Sequence, residues 1–222
     1  MRLNANIRPV QDQAVRQTIA LYKKVGWKSI FAKMRFWDAP YFEAENVIPK
    51  EGKIVELGCG EGFFSNFLAI SSPKRNVVGV EIDKARVKDA QRGLNNTKFI
   101  CQNALKAKIE ASAIVCMHLL HHLNSREDQE FLLTNCYKSL PRNGKLVIIE
   151  VDPKFSFKYF ITWFTDHFLV SWLFEKKIYS PIYFRRGTEW QRLLKKIGFS
   201  CKIAHVEKGK PFTHIMLTCQ KN

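Results

Sequence analysis

Three glycines at alternate positions follow an apolar run early in the chain, and their spacing points to ligand binding. The stretch I-V-E-L-G-C-G-E-G-F-F covers residues 54–64 and contains Gly58, Gly60 and Gly62. Glycine permits unusual backbone angles, and without a Cβ atom a ligand can lie directly against the peptide planes. The spacing departs from the dinucleotide fingerprint G-x-G-x-x-G, and Glu56 precedes the first glycine by two residues. A carboxylate at that position disfavours a pyrophosphate and favours a ligand with cationic groups.

A second chemical signal is a group of histidines in the stretch A-I-V-C-M-H-L-L-H-H-L, residues 113–123. Histidine has the unperturbed pKa best suited to accepting a proton near neutral pH. We therefore predict His118 or His121 as a general base, with His122 as a further candidate. The alternative is that these rings orient the backbone or pack against a ligand. No further acid lies nearby in sequence to complete a metal site, and we predict none.

Cysteine usage gives a prediction about redox state. The six cysteines show no C-x-x-C pair and no Cys/His cluster, so we predict reduced interior thiols in a cytoplasmic protein. Charges occur early and no long uncharged apolar window follows, which predicts neither a signal peptide nor a membrane span.

The elements that must position these residues alternate between short Val/Ile-rich strands and helices. Strands are predicted at 54–57, 76–81, 98–102, 113–118, 145–151, 200–206 and 214–219. Helices are predicted at 12–36 with a break at Gly26, and at 62–71, 84–94, 125–140 and 188–197, with Asp83 and Ser125 as N-caps. On the first of these, Val15, Ile19, Tyr22, Ile30 and Met34 share an apolar face. The alternation predicts a parallel sheet with helices on both faces and a C-terminal edge hairpin.

Four motifs in this order resemble those of the class I S-adenosylmethionine-dependent methyltransferases. They are E-L-G-C-G-E-G, then V-V-G-V-E-I-D, then F-I-C-Q-N-A, and finally the histidine stretch with L-P-R-N-G-K-L-V-I-I-E after it, all within residues 50–151. The resemblance implies an α/β fold with a Rossmann-like, doubly wound, mostly parallel seven-stranded sheet. It also implies S-adenosyl-L-methionine as cofactor and S-adenosyl-L-homocysteine as product.

The resemblance assigns roles to individual residues at the carboxyl ends of the strands, where such sheets bind ligands. Glu56 would orient the amino-acid end of the cofactor, and Glu81 would accept bonds from both ribose hydroxyls. Asn103 stands where the family usually has Asp against the adenine amino group. The full set implied for the cofactor is Glu56, Gly58, Cys59, Gly60, Gly62, Glu81, Ile82, Asn103, Ala104 and His118.

The charge distribution and an aromatic segment bear on the acceptor. Of the net charge of +16, residues 51–152 contribute little, with fourteen Lys/Arg against twelve Asp/Glu. Residues 1–50 carry nine against four and residues 153–222 carry thirteen against four, so the flanks would attract an anionic partner. The segment 155–184 is rich in Phe, Tyr and Trp. We predict that it forms a lid over an apolar acceptor and contacts a membrane surface, while ordinary core packing remains the alternative.

These observations predict a single domain over residues 1–222. Its parts are a basic helical N-terminal cap (1–50), a cofactor-binding core (51–152), an aromatic lid insertion (153–187), and a terminal helix with strands (188–222). The predicted function is methyl transfer to a hydrophobic or lipid-linked small molecule, in the cytoplasm and in peripheral contact with a membrane. An RNA methyltransferase and a non-catalytic binding module stay open as alternatives, and the oligomeric state is not indicated.

Overall fold

The computed structural model describes residues 7–23, 28–153, 182–207, 210 and 213–222, and its centre is a seven-stranded sheet. The strands run in the order β3-β2-β1-β4-β5-β7-β6. Their bounds are β1 Gly52–Leu57, β2 Arg75–Glu81, β3 Thr97–Cys101, β4 Ala113–Met117, β5 Lys145–Val151, β6 Phe199–His205 and β7 His214–Lys221. Neighbouring strands are parallel except at β7, which is antiparallel to both β5 and β6. The predicted fold class, including the antiparallel edge hairpin, is confirmed.

Helices cover both faces of the sheet. They are α1 Ile7–Leu21, α2 Lys28–Asp38, α3 Tyr41–Val47, α4 Phe63–Ser71, α5 Lys84–Ala90, α6 Arg126–Ser139 and α7 Gly187–Ile197. Short 3₁₀ turns at Ala104–Lys106 and Leu120–His122 follow β3 and β4. Both predicted N-caps are present: Asp83 Oδ1 accepts from the Ala85 and Arg86 N–H groups, and Ser125 Oγ accepts from the Asp128 N–H at 3.0 Å.

The core has two main layers because side chains alternate across each strand. On β5, Val147 and Ile149 face the layer that contains α1 to α4, whereas Leu146 and Ile148 face the layer of α6 and α7. All four are fully buried. This two-sided burial accounts for the uninterrupted apolar runs of the central strands.

The predicted division of the N-terminal helical stretch agrees with two separate helices, α1 and α2, on either side of Gly26, which itself lies outside the described residues. The N-terminal region differs from the prediction in two ways. A third helix, α3, was not predicted; Pro40 immediately precedes its first residue, where the missing backbone N–H of proline is tolerated. The predicted apolar face is wrong on α2: Ile30 and Met34 are 61% and 53% exposed, while Tyr22, directly after α1, is buried.

Helix α5 is also shorter than predicted and ends at Ala90 rather than at residue 94. Gly93 then takes a left-handed conformation with φ 77°, which helical backbone does not allow. The periodicity of the sequence continued across this stretch, so only the tertiary structure reveals the stop.

The prediction of six reduced interior thiols is wrong in two respects. Cys201 and Cys219 form a disulfide between β6 and β7, where they lie directly opposite each other, and Cys101 is exposed. The register of the hairpin brings the two sulfurs together, and their spacing in sequence gives no hint of it. Cysteine usage therefore no longer supports the predicted cytoplasmic location.

Within the described ranges, no helix combines the length and the hydropathy needed to cross a bilayer. The aromatic segment 155–184 falls outside the described residues except for its last three positions, so its predicted lid role stays a prediction.

Candidate functional site

The glycine loop between β1 and α4 lies at the carboxyl end of the sheet, as predicted. Val80 O on β2 accepts from the Gly58 N–H at 2.8 Å and from the Cys59 N–H at 3.1 Å. Gly60 has φ 52°, and a Cβ atom built on it would meet no atom within 4 Å. The protein therefore leaves the top of this loop open, so a ligand could approach the peptide planes there.

The loop that follows β4 and carries His118, His121 and His122, called here the histidine loop, touches the glycine loop. A Cβ atom at Gly58 would lie 2.7 Å from Leu119 Cδ1 and would displace that side chain, and the backbone φ of 71° also favours glycine. His118, the residue before Leu119, is consequently adjacent to the predicted cofactor loop. Gly62, which precedes the first residue of α4, ends the glycine loop in a left-handed conformation with φ 75°.

Glu81 at the end of β2 is buried and holds the loop by hydrogen bonds from the backbone. Its Oε2 accepts from the Gly60 N–H at 2.9 Å, and its Oε1 accepts from the Ile82 and Asp83 N–H groups at 2.9 and 3.0 Å. A carboxylate has about four acceptor positions, and three are used here. Bidentate binding of a ribose would therefore require the Gly60 N–H to release or share its oxygen.

Glu56 at the end of β1 is 3% exposed and accepts a hydrogen bond from the Ser65 hydroxyl on α4. Burial raises the pKa of Glu56 to about 8, although the Ser65 hydrogen bond and the nearby Arg35 guanidinium act in the opposite direction. A carboxyl group with this pKa is mostly neutral at pH 7. A cationic ligand would favour its ionised form.

The residues predicted for the adenine lie after β2 and β3. Ile82 is 66% exposed, so a planar apolar ring could lie on it without displacing protein atoms. Asn103 begins the 3₁₀ turn that contains Ala104, and its Oδ1 accepts from the Leu105 N–H at 2.9 Å. The amide oxygen expected to bind adenine thus already has one backbone partner and keeps one acceptor position.

His118 has the most unusual environment among the predicted catalytic residues. Its backbone is left-handed with φ 52°, and its N–H donates to Ile149 O at 2.9 Å. A non-glycine residue in this region stores strain, which is common at functional sites. Its Nε2 is enclosed, and no described residue hydrogen bonds to it. Burial and then the neighbouring His214 ring lower the pKa of His118 well below its usual value, so the ring is neutral near pH 7.

His121 has a different environment. It is 1% exposed, and its Nδ1 pairs with Glu150 Oε2, while Glu150 Oε1 accepts from the Leu120 N–H at 2.8 Å. The His121 ring stacks on Phe184 with ring centroids 5.1 Å apart. The His122 ring lies with its centroid 4.1 Å from that of His121, and the two ring planes are tilted by 43°. His121 therefore fixes the loop that presents His118.

Two residues near the site were missed by the sequence analysis. His214, at the start of β7, packs edge-on against His118 with ring centroids 4.9 Å apart. Arg35 on α2 is close enough to Glu56 and His118 to affect the pKa of each, and it forms an ion pair with Asp38 at 3.2 Å. The i,i+3 spacing of Arg35 and Asp38 could have indicated their ion pair. The sequence does not indicate that Arg35 lies towards the site, because the orientation of a basic side chain on a helix depends on packing.

Tyr22, the residue directly after α1, also reaches the glycine loop. Tyr22 donates to Glu61 O at 2.7 Å and accepts from Asn66 Nδ2 at 2.8 Å. Within the described ranges, no group of three His, Cys, Asp or Glu side chains is arranged to hold a metal ion.

Comparison with known proteins assigns this arrangement to a family. Residues 31–202, more than three quarters of the chain, match the family described as Methyltransferase domain, and the chain belongs to that family. The predicted class, the S-adenosylmethionine-dependent methyltransferases, and the predicted cofactor are thereby confirmed at the level of the family.

Individual relatives match over part of the chain. The carboxy-S-adenosyl-L-methionine synthase of Helicobacter pylori (strain Shi470) is 34% identical over 113 residues, which are 48% of this chain and 46% of that protein. Indole glucosinolate O-methyltransferase 5 of Arabidopsis thaliana is 27% identical over 131 residues, 59% of this chain and 33% of that protein. The chain thus spans about a third to a half of the length of these relatives.

Solved structures share the fold at low identity. A SAM-dependent methyltransferase of Thermotoga maritima has a TM-score of 0.64 at 18% identity, covering 91% of this chain and 99% of its own. The magnesium protoporphyrin IX methyltransferase of Synechocystis, solved with bound SAH, has a TM-score of 0.60 at 18% identity, covering 100% and 89%. At this identity the likeness establishes the fold alone.

Proposed function

We propose that the protein transfers a methyl group from S-adenosylmethionine to a small hydrophobic or lipid-linked acceptor. The observation that carries this proposal is the enclosed Nε2 of His118, which has no partner among the described residues, on a loop whose next residue, Leu119, contacts Gly58 of the open glycine loop. Relatives named for indole glucosinolate and myricetin are O-methyltransferases, which supports a small acceptor.

The residues that would hold the cofactor fit its chemistry. When bound, S-adenosylmethionine supplies a methyl group made electrophilic by its sulfonium. Gly60 leaves room for the ligand, Glu81 accepts from the ribose hydroxyls, and Ile82 offers an apolar surface to the adenine. Glu56 would lie towards the ammonium group, and its ionised form would be favoured by that cation.

His118 would accept the proton that a hydroxyl acceptor loses. The bound cofactor would supply the methyl carbon for the new oxygen–carbon bond and would keep the electron pair of the broken carbon–sulfur bond on its sulfur. The proton of the hydroxyl passes to His118 Nε2, which is neutral because burial lowers the pKa of His118. The pairing of His121 with Glu150 keeps the loop in place during this step.

Cofactor binding is the first test, and it is measured by calorimetry with S-adenosylmethionine and S-adenosylhomocysteine. Glu81→Ala should weaken both affinities at least about tenfold, because it removes the ribose acceptor and releases the Gly60 N–H. Glu51→Ala, an exposed acid at the other end of β1, is the matched control and should leave both affinities unchanged. Equal affinities for the two variants would contradict the assigned role of Glu81.

The acceptor class is tested with methyl-labelled S-adenosylmethionine and a fractionated cell extract. Label in the lipid or apolar small-molecule fraction is the expected result. Label in RNA would instead favour an RNA methyltransferase, the alternative with which the net charge of +16 is compatible. Absence of cofactor binding in the wild type would favour the non-catalytic module.

A further inference from the structure

Helix α2 carries an exposed apolar stripe on its outer face. Ile30, Met34 and Trp37 are 61%, 53% and 61% exposed, and their spacing of four and three residues places them along one side of the helix. Large apolar side chains scattered singly need no explanation, but three in line form a continuous patch. Ile30 and Met34 belong to the apolar face predicted from the sequence, whereas Trp37 was not part of it.

The opposite face of the same helix borders the candidate site. Phe31 packs against Phe63, the first residue of α4 after the glycine loop, with ring centroids 5.7 Å apart. Arg35 acts on Glu56 and His118, and Phe36 is buried against Tyr41 and Phe67. A surface that docks through the outer face of α2 would therefore lie one helix diameter from the residues that would bind the cofactor and acceptor.

The described N-terminal helices expose more basic than acidic side chains. Lys33 is exposed beside the stripe on α2, and in and directly after the neighbouring α1 the exposed charges are Arg16 and Lys23 against Asp12. Two of the four acids in residues 1–50 are neutralised internally: Asp38 pairs with Arg35, and the buried Glu45 pairs with Arg75. The N-terminal helices thus present cations outward together with an apolar stripe.

We propose that the outer face of α2 docks on an anionic lipid surface and brings the site to acceptors held in that membrane. The inference that α2 docks on a membrane rests on the apolar stripe. The inference that docking brings the site to its acceptor rests on the proposed function. An apolar stripe with Trp, flanked by Lys, is the composition of helices that lie in the membrane interface. Three side chains supply far less area than the ~800 Å² that each partner contributes to a standard protein interface, which argues against a second copy as the occupant.

The test is flotation of the full chain with vesicles of phosphatidylcholine alone or with phosphatidylglycerol added. The wild type should bind only the anionic vesicles. Ile30→Ser/Met34→Ser/Trp37→Ser should lower binding more than about tenfold, because the inserted apolar surface is lost. Lys33→Ala should lower it about fivefold, as expected for one cation near the surface.

Matched controls separate this surface from general effects. Phe131→Ser removes a side chain that is 54% exposed on α6, and Lys108→Ala removes an exposed lysine after β3; both should bind vesicles as the wild type does. Thermal midpoints and cofactor affinity are measured for every variant, so a folding defect or a failure of the proposed function is recognised separately.

Three results would overturn the proposal. The triple variant could bind anionic vesicles as well as the wild type does. Light scattering could show a dimer that the triple variant converts to a monomer, which would identify a second copy as the occupant. An RNA oligonucleotide could bind through the stripe while vesicles do not.

Discussion

The carboxyl group of Glu56 connects residue chemistry to cofactor binding. Burial raises the pKa of Glu56 to about 8, so only a small fraction is ionised below pH 7. If the ionised form faces the ammonium of the cofactor, binding must be accompanied by loss of this proton.

We therefore expect cofactor affinity of the wild type to rise about tenfold per pH unit between pH 6 and 7.5 and to level off near pH 8. Glu56→Gln cannot ionise, so its affinity should be low and independent of pH in this range. Calorimetry in a pH series measures both. A wild-type affinity that does not change with pH would remove Glu56 from the ammonium site.

The same residue should make stability depend on pH. Its pKa is raised in the folded protein above the ordinary value of 4.5, so the folded state retains a proton that the unfolded state loses. This contribution to the free energy of unfolding is complete below about pH 4.5 and is lost as the pH rises to about 8. Glu56→Gln does not have this pH dependence. The free energy of unfolding of Glu56→Gln minus that of the wild type should therefore be larger at pH 8 than at pH 5, as measured by urea denaturation at both pH values.

His118 and His121 should respond differently to substitution. His118→Ala should lower kcat by about 10²- to 10⁴-fold while changing cofactor affinity little, because it removes a proton acceptor. His121→Ala should lower the free energy of unfolding by about 1–3 kcal/mol or more, because Glu150 loses a buried partner. Turnover with the labelled acceptor fraction and urea denaturation distinguish the two effects; the reverse pattern would exchange the roles.

The pH profile gives an independent check on His118. Because the pKa of His118 lies well below its ordinary value of 6.5, the ring stays neutral and able to accept a proton as the pH falls through 6.5. Turnover at saturating cofactor should therefore persist below pH 6.5. A loss of turnover centred near pH 6.5 would indicate a base in a more solvated environment.

At the scale of elements, the glycine loop matters for the ligand more than for the fold. Gly60 and Gly93 both have positive φ, 52° and 77°, and a Cβ atom at either would meet nothing within 4 Å. Their substitution by Ala should cost a similar amount of stability, about 1–2 kcal/mol, because the strain is the same.

Gly60→Ala should in addition weaken cofactor binding more than about tenfold, because its methyl group would occupy the side from which the ligand approaches. Gly93→Ala is the matched control and should bind the cofactor normally. Calorimetry beside thermal denaturation tests the pair. Equal cofactor affinities for the two variants would place the ligand elsewhere.

The strands and most helices could be predicted because their signals are local. Runs of Val and Ile mark the buried strands, and Asp83 and Ser125 mark helix starts through bonds to backbone two or three residues away. Glu56 and Glu81 could be placed because each ends a strand in a known motif.

What could not be predicted depends on contacts between distant segments. His214 meets His118 only because β7 inserts beside β5, and Cys201 meets Cys219 only through the register of the hairpin. The outward orientation of Ile30 and Met34 depends on how α2 packs, since the apolar periodicity of α2 does not distinguish a core face from an exposed one.

At the scale of the whole molecule, one buried ion pair ties the N-terminal helices to the sheet. The guanidinium of Arg75, at the start of β2, pairs with Glu45 on α3 at 3.0 Å and also donates to Pro49 O, Leu68 O and Ile48 O. Gln11 on α1 donates to the same Glu45 carboxylate at 3.0 Å. These bonds join α1, α3, α4 and β2.

Arg75→Met should lower the free energy of unfolding by about 3–5 kcal/mol, because the buried Glu45 loses one of its two cationic partners, Lys50 being the other, and three backbone carbonyls lose their donor. The double variant Glu45→Met/Arg75→Met should lose less than Arg75→Met alone. Lys196→Met, which breaks the exposed pair with Glu130, is the control and should cost at most about 1 kcal/mol. Urea denaturation measures all three, and equal losses for Arg75→Met and Lys196→Met would contradict the structural role.

The position of β7 has a consequence for biosynthesis. β6 precedes β7 in the chain, yet it joins the sheet only through β7, which lies between β6 and β5. A nascent chain that has emerged from the ribosome only as far as β6 therefore has a bare edge at β5 and an orphan strand with no place to attach. The open edge carries the apolar residues Ile148 and Ile149, and such edges are templates for aggregation. Translation that stalls before residue 214 should therefore yield a chaperone client rather than a partly active enzyme.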